Sequence, residues 1–462
     1  MKSSNLTIRN LYLLFLVGFF IMVQSLKDYS GYKIYVFLPK DDIQDAIVRD
    51  IIDLPGVDAF KAYRRLFAPE YMIAPETQPL INDICVVTNL SYAIAVHDLG
   101  HVFRRVGTGS SSDYEVLLKE STLPRVKPGY ISFQQYETYE NVQAYLDRLA
   151  LQYPQLMDMF SIGNTYEGRN ITVARITNQK IRHRKPVILI DAGIHAREWI
   201  APAFALYIIH KLVERSYEHS ALLDNFEWFI IPLLNPDGYE YSRTNDRLWR
   251  KNRAPNFNTE CIGTDLNRNW GYHWESNYHR ECDSSYSGDE EFSEFESRAL
   301  RDLGYALGDD VLVYLTLHAY GPLLLYPWGF KSEVPPDYAD LDSLAKAMTD
   351  ALSIPYVFGS SNNVLYAAPG GSDDWFKGVI GTKYSYTWEL PPGGTTGFEI
   401  PEHNIMSTVV DSFNAIEALG AYFLNLCNQS QHPYHSQYKT QPKYHKRSSE
   451  MLKVRNDPLI HS

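Results

Sequence analysis

Apolar and polar positions alternate along this chain in two different styles, and the change of style divides it. Between residues 26 and about 115 the apolar runs are short. YKIYVFL (32–38) alternates as a half-buried strand does, DDIQDAIVRDII (41–52) carries helical spacing behind an acidic start, and INDICVVT (81–88) predicts another strand. From about 131 to 427 strands and helices alternate. ENVQAYLDRLALQYP (140–154) has the period of a helix. PVILIDAG (186–193), EWFIIPLLNP (227–236) and VLVYLTLHAY (311–320) are near-continuous apolar runs of strand length, as expected of strands covered on both faces. APAFALYIIHKLVERS (201–216) has helical spacing, with Pro202 in the first turn where its missing N–H costs least. The predicted fold class is α/β, a mixed twisted sheet flanked by helices, preceded by a small α/β unit.

The ends and the joint between the units differ from both. Lys2 and Arg9 precede LYLLFLVGFFIMV (11–23), an apolar stretch too short to span a bilayer comfortably, followed by Gln24 and Ser25. Residues 1–25 are therefore expected to be a secretory signal cut near Ser25. Residues 107–130 bring GTGSSSD and then STLPRVKPG, an exposed, basic link of the kind proteases cut, with Arg125 and Lys127 as the best sites. Residues 428–462 are rich in Gln, His, Lys and Ser and are expected to form a disordered tail. The expected organisation is thus signal (1–25), leading domain with its link (26–127), main domain (128–427) and tail (428–462).

Composition narrows the possible partners. Of 462 residues, 45% are apolar and 21% charged, enough to bury a sizeable core. A net charge of −12 argues against nucleic acid, whose backbone needs a basic surface. No stretch after the signal is long and apolar enough to cross a membrane, so a soluble, exported monomer is expected. Export makes the four cysteines readable as possible disulfides. Cys261 and Cys282 are a plausible local staple, stabilising by roughly 3 kcal/mol in the chain-entropy picture. Cys85 and Cys427 remain open: free, paired with each other, or paired with a second chain. Asn89, Asn170 and Asn428 are possible glycosylation acceptors.

Chemistry is expected where strands end. Directly after PVILID the chain reads GIHAREWI (193–200), with His195 three residues before Glu198, and His318 closes the run VLVYLTLHAY. Alone, either histidine reads more readily as a structural, satisfied polar group at a strand end. Together they offer three ligands of the kind a catalytic zinc takes, with a fourth position left for water. H-E-x-x-H and G-x-S-x-G occur nowhere in the chain.

Six strings, GIHAREWI, NDRLWRKNR (245–253), CIGTDLNRNW (261–270), LHAYGPLLLYPWG (317–329), YAAPGGSDDW (366–375) and KYSYTWEL (383–390), together resemble the secreted zinc metallocarboxypeptidases of the pancreatic A/B type. The resemblance covers 131–427, and the leading unit is similar to that family's activation segment, 91–106 fitting only loosely. The resemblance implies a zinc carboxypeptidase fold and one zinc per chain on His195, Glu198 and His318. It implies Glu389 as the general base and acid, and Arg250 as the cation beside the oxyanion. Asn267 and Arg268 would clamp the substrate carboxylate, Arg197 and Tyr320 would contact substrate, and Tyr366 would close over its end. Asp373 aligns with the residue that floors the specificity pocket. A carboxylate there implies B-type preference for C-terminal Lys or Arg, with an A-type preference for apolar side chains as the alternative and neighbouring Asp374 as a complication. Peptides or proteins with a free C-terminus are the implied substrates. The uncut chain is expected to be latent until a trypsin-like protease acts around 119–127. A binding protein that kept the fold without catalysis is the remaining rival, disfavoured because ligands, base and cation are all present.

Overall fold

The leading unit is a four-stranded antiparallel sheet with two uses for its two faces. The computed structural model describes residues 26–61, 68–106, 127–181, 183–256, 259–276, 280–394 and 397–428, so the signal, most of the link with Arg125, and the tail lie outside the described residues. Strands β1 (Lys33–Leu38), β2 (Val57–Lys61), β3 (Glu70–Ile73) and β4 (Ser91–Val96) lie in the order β2-β3-β1-β4. Alternation along β1 sends Tyr35 and Phe37 one way, against Val48 and Ile51 of helix Asp42–Ile51 and Ile81 and Cys85 of helix Gln78–Thr88. Ile34 points the other way, with Phe60, Met72 and Val96, into a cluster completed by Leu248 and Phe398 of the following unit. The sheet's second face is therefore buried against the main unit.

One expected strand is a helix. INDICVVT lies inside helix Gln78–Thr88, because Pro79 sits in the first turn and Gln78, Ile81 and Cys85 form a buried stripe at helical spacing. Val86 and Val87, which suggest a strand in sequence, are 80% and 85% exposed. Asn89, at φ 53°, ends the helix by returning its N–H to the Cys85 and Val86 carbonyls. The loosely fitting stretch 91–106 divides into β4 and a helix, Leu99–Val106.

The main unit carries an eight-stranded mixed sheet. Its strands are β5 (Met157–Asn164), β6 (Asn170–Ile176), β7 (Val187–Ala192), β8 (Glu227–Ile231), β9 (Val311–Ala319), β10 (Leu323–Tyr326), β11 (Val357–Ser360) and β12 (Tyr384–Leu390), in the order β11-β10-β12-β9-β7-β8-β6-β5. The centre, β12-β9-β7-β8, is parallel. Buried on both faces, β7 and β9 have no exposed residue, which is why they read as unbroken apolar runs. Helix Ile200–Val213 packs on one face, with only His210 and Lys211 less than fully buried, and helix Glu402–Asn428 lies over it. Helix Phe295–Leu307 covers the other face. The run EWFIIPLLNP is a strand only as far as Ile231; Asn235 then caps helix Pro236–Thr244, its Oδ1 accepting from Gly238 N–H at 2.9 Å.

Cys261 and Cys282 are disulfide-bonded, with Cα atoms 5.1 Å apart, while Cys85 is free and buried in the leading unit. The Cys427 side chain lies outside the described residues. Asn89, Asn170 and Lys127 are exposed. Among the described residues no helix is long and apolar enough to cross a membrane.

Candidate metal centre and cleft

Parallel strands running side by side bring their carboxyl ends to one edge, and the register places the chemistry there. His195 follows β7 and His318 is the penultimate residue of β9, beside Glu389 of β12 as a register partner. Glu198 begins the turn into helix Ile200–Val213. The ligand atoms of His195, Glu198 and His318 all lie within 4.8 Å of one another, and all three residues are buried. His195 Nδ1 is 2.8 Å from Glu198 Oε1, His318 Nδ1 is 3.1 Å from Glu198 Oε2, and the two Nδ1 atoms are 3.1 Å apart.

Two imidazole nitrogens turned toward each other across one carboxylate call for a positive charge between them. Burial alone would lower the His318 imidazole, but the Glu198 carboxylate overrides it and pushes the group up to about 9. Burial would raise Glu198, yet the two histidines hold it far below the usual carboxylate range. A nitrogen, nitrogen, oxygen donor set with this demand for charge fits zinc. Behind His195, its Nε2–H donates to Asp265 Oδ1 at 3.0 Å. Asp265 also accepts from Arg250 Nε at 3.0 Å, which ties Arg250 to the rim; Arg250 Nη1 is 3.8 Å from Glu198. Sequence reading passed over Asp265, although it stands two residues before Asn267 in TDLNRNW.

The other expected residues gather around this cluster. Burial pushes the Glu389 carboxyl up to about 7; His318 and Arg250 pull it down and Glu198 adds to the rise. Such a group changes protonation near neutral pH, as proton transfer requires. Asn267 and Arg268 form a single helical turn, Leu266–Arg268, capped by Asp265. The Asn267 side chain accepts from Ser372 N–H at 2.9 Å, and the Arg268 guanidinium lies 6.0 Å from the half-buried Tyr366 ring. Asp373 and Asp374 are both buried, and no described ion pair involves either. Asp374 accepts from Gly329 N–H at 2.9 Å and Phe330 N–H at 3.1 Å, whereas Asp373 has Ser361 Oγ at 3.4 Å and the Thr387 hydroxyl. Burial raises both carboxyls, Asp374 further because of Asp373.

Arg197 and Tyr320 face the leading unit. Arg197 is buried, with Nη1 donating to Asp58 Oδ2 at 2.7 Å and to Leu248 O at 3.3 Å, its guanidinium 4.5 Å from the Phe398 ring. Ser284 Oγ donates to the other oxygen of Asp58 at 2.7 Å. Tyr320 packs edge-on against Phe398 and shares a hydrogen bond with Glu70. Arg247 was missed in sequence: it donates to the Arg197 and Phe398 carbonyls and so holds this wall together.

The geometry has counterparts among known proteins. The zinc carboxypeptidase family profile matches residues 142–415. Carboxypeptidase B of Astacus astacus is 43% identical over 294 residues, covering 62% of this chain and 96% of that protein. Mast cell carboxypeptidase A of Homo sapiens is 31% identical over 408 residues, 85% of this chain and 93% of its own length, so the likeness extends beyond the main unit into the leading one. The crystal structure of carboxypeptidase A from Helicoverpa armigera superposes with a TM-score of 0.80 at 27% identity, covering 87% of this chain and 99% of that one. With two imidazoles and a glutamate meeting at the ends of parallel strands, and a profile match over more than half its length, the chain belongs to the zinc carboxypeptidase family: it is a metallocarboxypeptidase of the A/B type with zinc as its cofactor.

Proposed function

We propose that the protein is a secreted zymogen that, once cut, removes Lys or Arg from the C-terminus of peptides. The observation that carries the specificity is the adjacent buried pair Asp373 and Asp374, which has no basic partner among the described residues. Asp374 is held by the N–H groups of Gly329 and Phe330 from a distant part of the chain, whereas Asp373 is held within its own turn and by the Ser361 and Thr387 hydroxyls, and Asp373 is taken as the carboxylate that meets an incoming ammonium or guanidinium. A desolvated charge pair of that kind discriminates by several kcal/mol against an apolar side chain.

In this reading Arg268 and Asn267 hold the terminal carboxylate, and Tyr366 closes over it. His195, Glu198 and His318 would hold the zinc, which would supply the activation of water and of the scissile carbonyl. Glu389 takes the proton as the water oxygen bonds to the carbonyl carbon, then delivers it to the departing amine as the C–N bond breaks. Arg250, held by Asp265, stabilises the developing oxyanion.

Latency follows from the seat of the leading unit. Asp58, Phe60 and Glu70 occupy Arg197, Phe398 and Tyr320, the wall an extended substrate would cross. Cleavage by a trypsin-like protease around 119–127 would release them. The proposed domain limits are those of the sequence reading, and the activated enzyme is proposed to be monomeric.

The test is kcat/KM on matched peptides ending in Arg, Lys, Phe and Leu, before and after limited trypsin, with and without chelator. The expected result is a trypsin-dependent, chelator-sensitive preference for Arg and Lys. A preference for Phe overturns the B-type reading, and equal activity before and after trypsin overturns latency.

A further inference from the structure

Both histidine ligands turn Nδ1 toward Glu198 and Nε2 away from it, but what stands behind them differs. His195 Nε2 meets a carboxylate directly, Asp265 at 3.0 Å. His318 Nε2 meets the Thr316 hydroxyl at 3.1 Å. Thr316 Oγ1 is in turn 3.1 Å from Asp191 Oδ2, and Asp191 Oδ1 accepts from Tyr314 O–H at 2.6 Å. The placement is dictated by the strands. Alternation puts Tyr314, Thr316 and His318 of β9 on one side, and the register of β7 against β9 sets Asp191 opposite Thr316. Asp191 is completely buried, and no described ion pair involves it.

The donor inventory orders this chain. An ionised carboxylate only accepts, so the Thr316 O–H points to Asp191 and leaves the Thr316 oxygen to accept from His318. The other neighbour of His318 Nε2 is Asn267 Nδ2 at 3.5 Å, the limit of a hydrogen bond. An amide nitrogen only donates, so an Asn267 bond would move the proton to Nδ1, the atom facing Glu198. The shorter contact to Thr316 selects the opposite tautomer.

We infer that Asp191 and Thr316 form a carboxylate–hydroxyl relay that holds the His318 imidazole as its Nε2–H tautomer, with the Nδ1 lone pair directed at the zinc. They are positioning residues, one link further from the metal than Asp265. The inference rests on the zinc site assigned above. Partners of this kind typically contribute about 10–100-fold to metal affinity.

The test is the zinc dissociation constant of the full chain, by competition with a chromophoric chelator, together with thermal unfolding of the zinc-stripped protein. Thr316→Val removes the hydroxyl at nearly constant shape and is expected to weaken zinc by about 10–100-fold. Thr316→Ser is expected to restore binding close to wild type. Tyr314→Phe, which removes only the other donor to Asp191, should have a small effect. Should Thr316→Val fail to fold when stripped, folded Asp191→Asn decides, with weakened zinc expected. Wild-type affinity in Thr316→Val, or in Asp191→Asn when it decides, overturns the relay. A wild-type chain that binds no zinc overturns the metal site itself, a separate result.

Discussion

The two α/β units use similar residues to opposite ends, and strand direction accounts for it. In the leading unit neighbouring strands run antiparallel, so their ends alternate between two edges and no edge collects side chains from distant parts of the sequence. Its contribution to the cleft is a surface: Asp58, Phe60 and Glu70 on or beside one face of the sheet. In the main unit β7, β9 and β12 run the same way, so residues separated by 71 to 194 positions arrive at one edge as His195, His318 and Glu389. Reactive geometry is thus a property of the parallel centre, and occlusion a property of the antiparallel cover.

The sharpest way to break that contrast is at Glu389. Glu389→Gln keeps the shape of the carboxyl and is expected to lower kcat of the trypsin-treated protein by about 10²- to 10⁴-fold, whereas loss of the whole leading unit should raise activity. Steady-state kinetics of the activated variant reads this, and a variant within a few-fold of wild type would remove Glu389 from the reaction. Next in size is the pocket. Asp373→Asn is expected to reduce the ratio of kcat/KM for Arg over Phe substrates by about 3 kcal/mol, roughly a hundredfold, with little change for Leu. Smaller again is the cover: Asp58→Ala leaves Arg197 buried without its carboxylate, and residual activity of the uncut chain should rise about tenfold, a cost of about 1.4 kcal/mol in occlusion. Unchanged latency would place the block elsewhere on the leading unit.

The smallest effect is a pH dependence inside the main unit. Glu296 is fully buried, Asn252 donates to both it and Glu294, and burial first, then Glu294, pushes its carboxyl up to about 8. A carboxyl raised on folding favours the folded state below its ordinary range, near 4.5, and that advantage is lost as pH climbs to about 8. Glu296→Gln should therefore stabilise the protein at pH 8–9 by about 1 kcal/mol or more and have little effect at pH 4–5, read by thermal unfolding at both ends. Equal shifts at both would remove the carboxyl as the cause.

Much of the main unit was legible because strands covered on both faces leave nothing polar to interrupt them, as in β7 and β9. The helix at 78–88 was not, because a single buried stripe of Ile81 and Cys85 among exposed valines imitates a β-branched strand when read without its partners. Ligands announced themselves at strand ends. Their supports did not: Asp265, Thr316 and Asp191 are ordinary polar residues until the sheet sets them behind an imidazole. Asp373 and Asp374 are indistinguishable as letters and differ in which backbone N–H groups and hydroxyls reach them.

The Cys261–Cys282 bridge closes a covalent ring that contains Asp265, Asn267 and Arg268. The wall assigned to the substrate's end is thereby stapled, whereas the imidazoles opposite stand at the ends of sheet strands, His195 alone reaching the ring through Asp265. In a reducing compartment the sheet would keep its register while that wall hung on a longer, looser tether. Grip on the peptide terminus should then fade at reductant concentrations that leave the fold itself untouched.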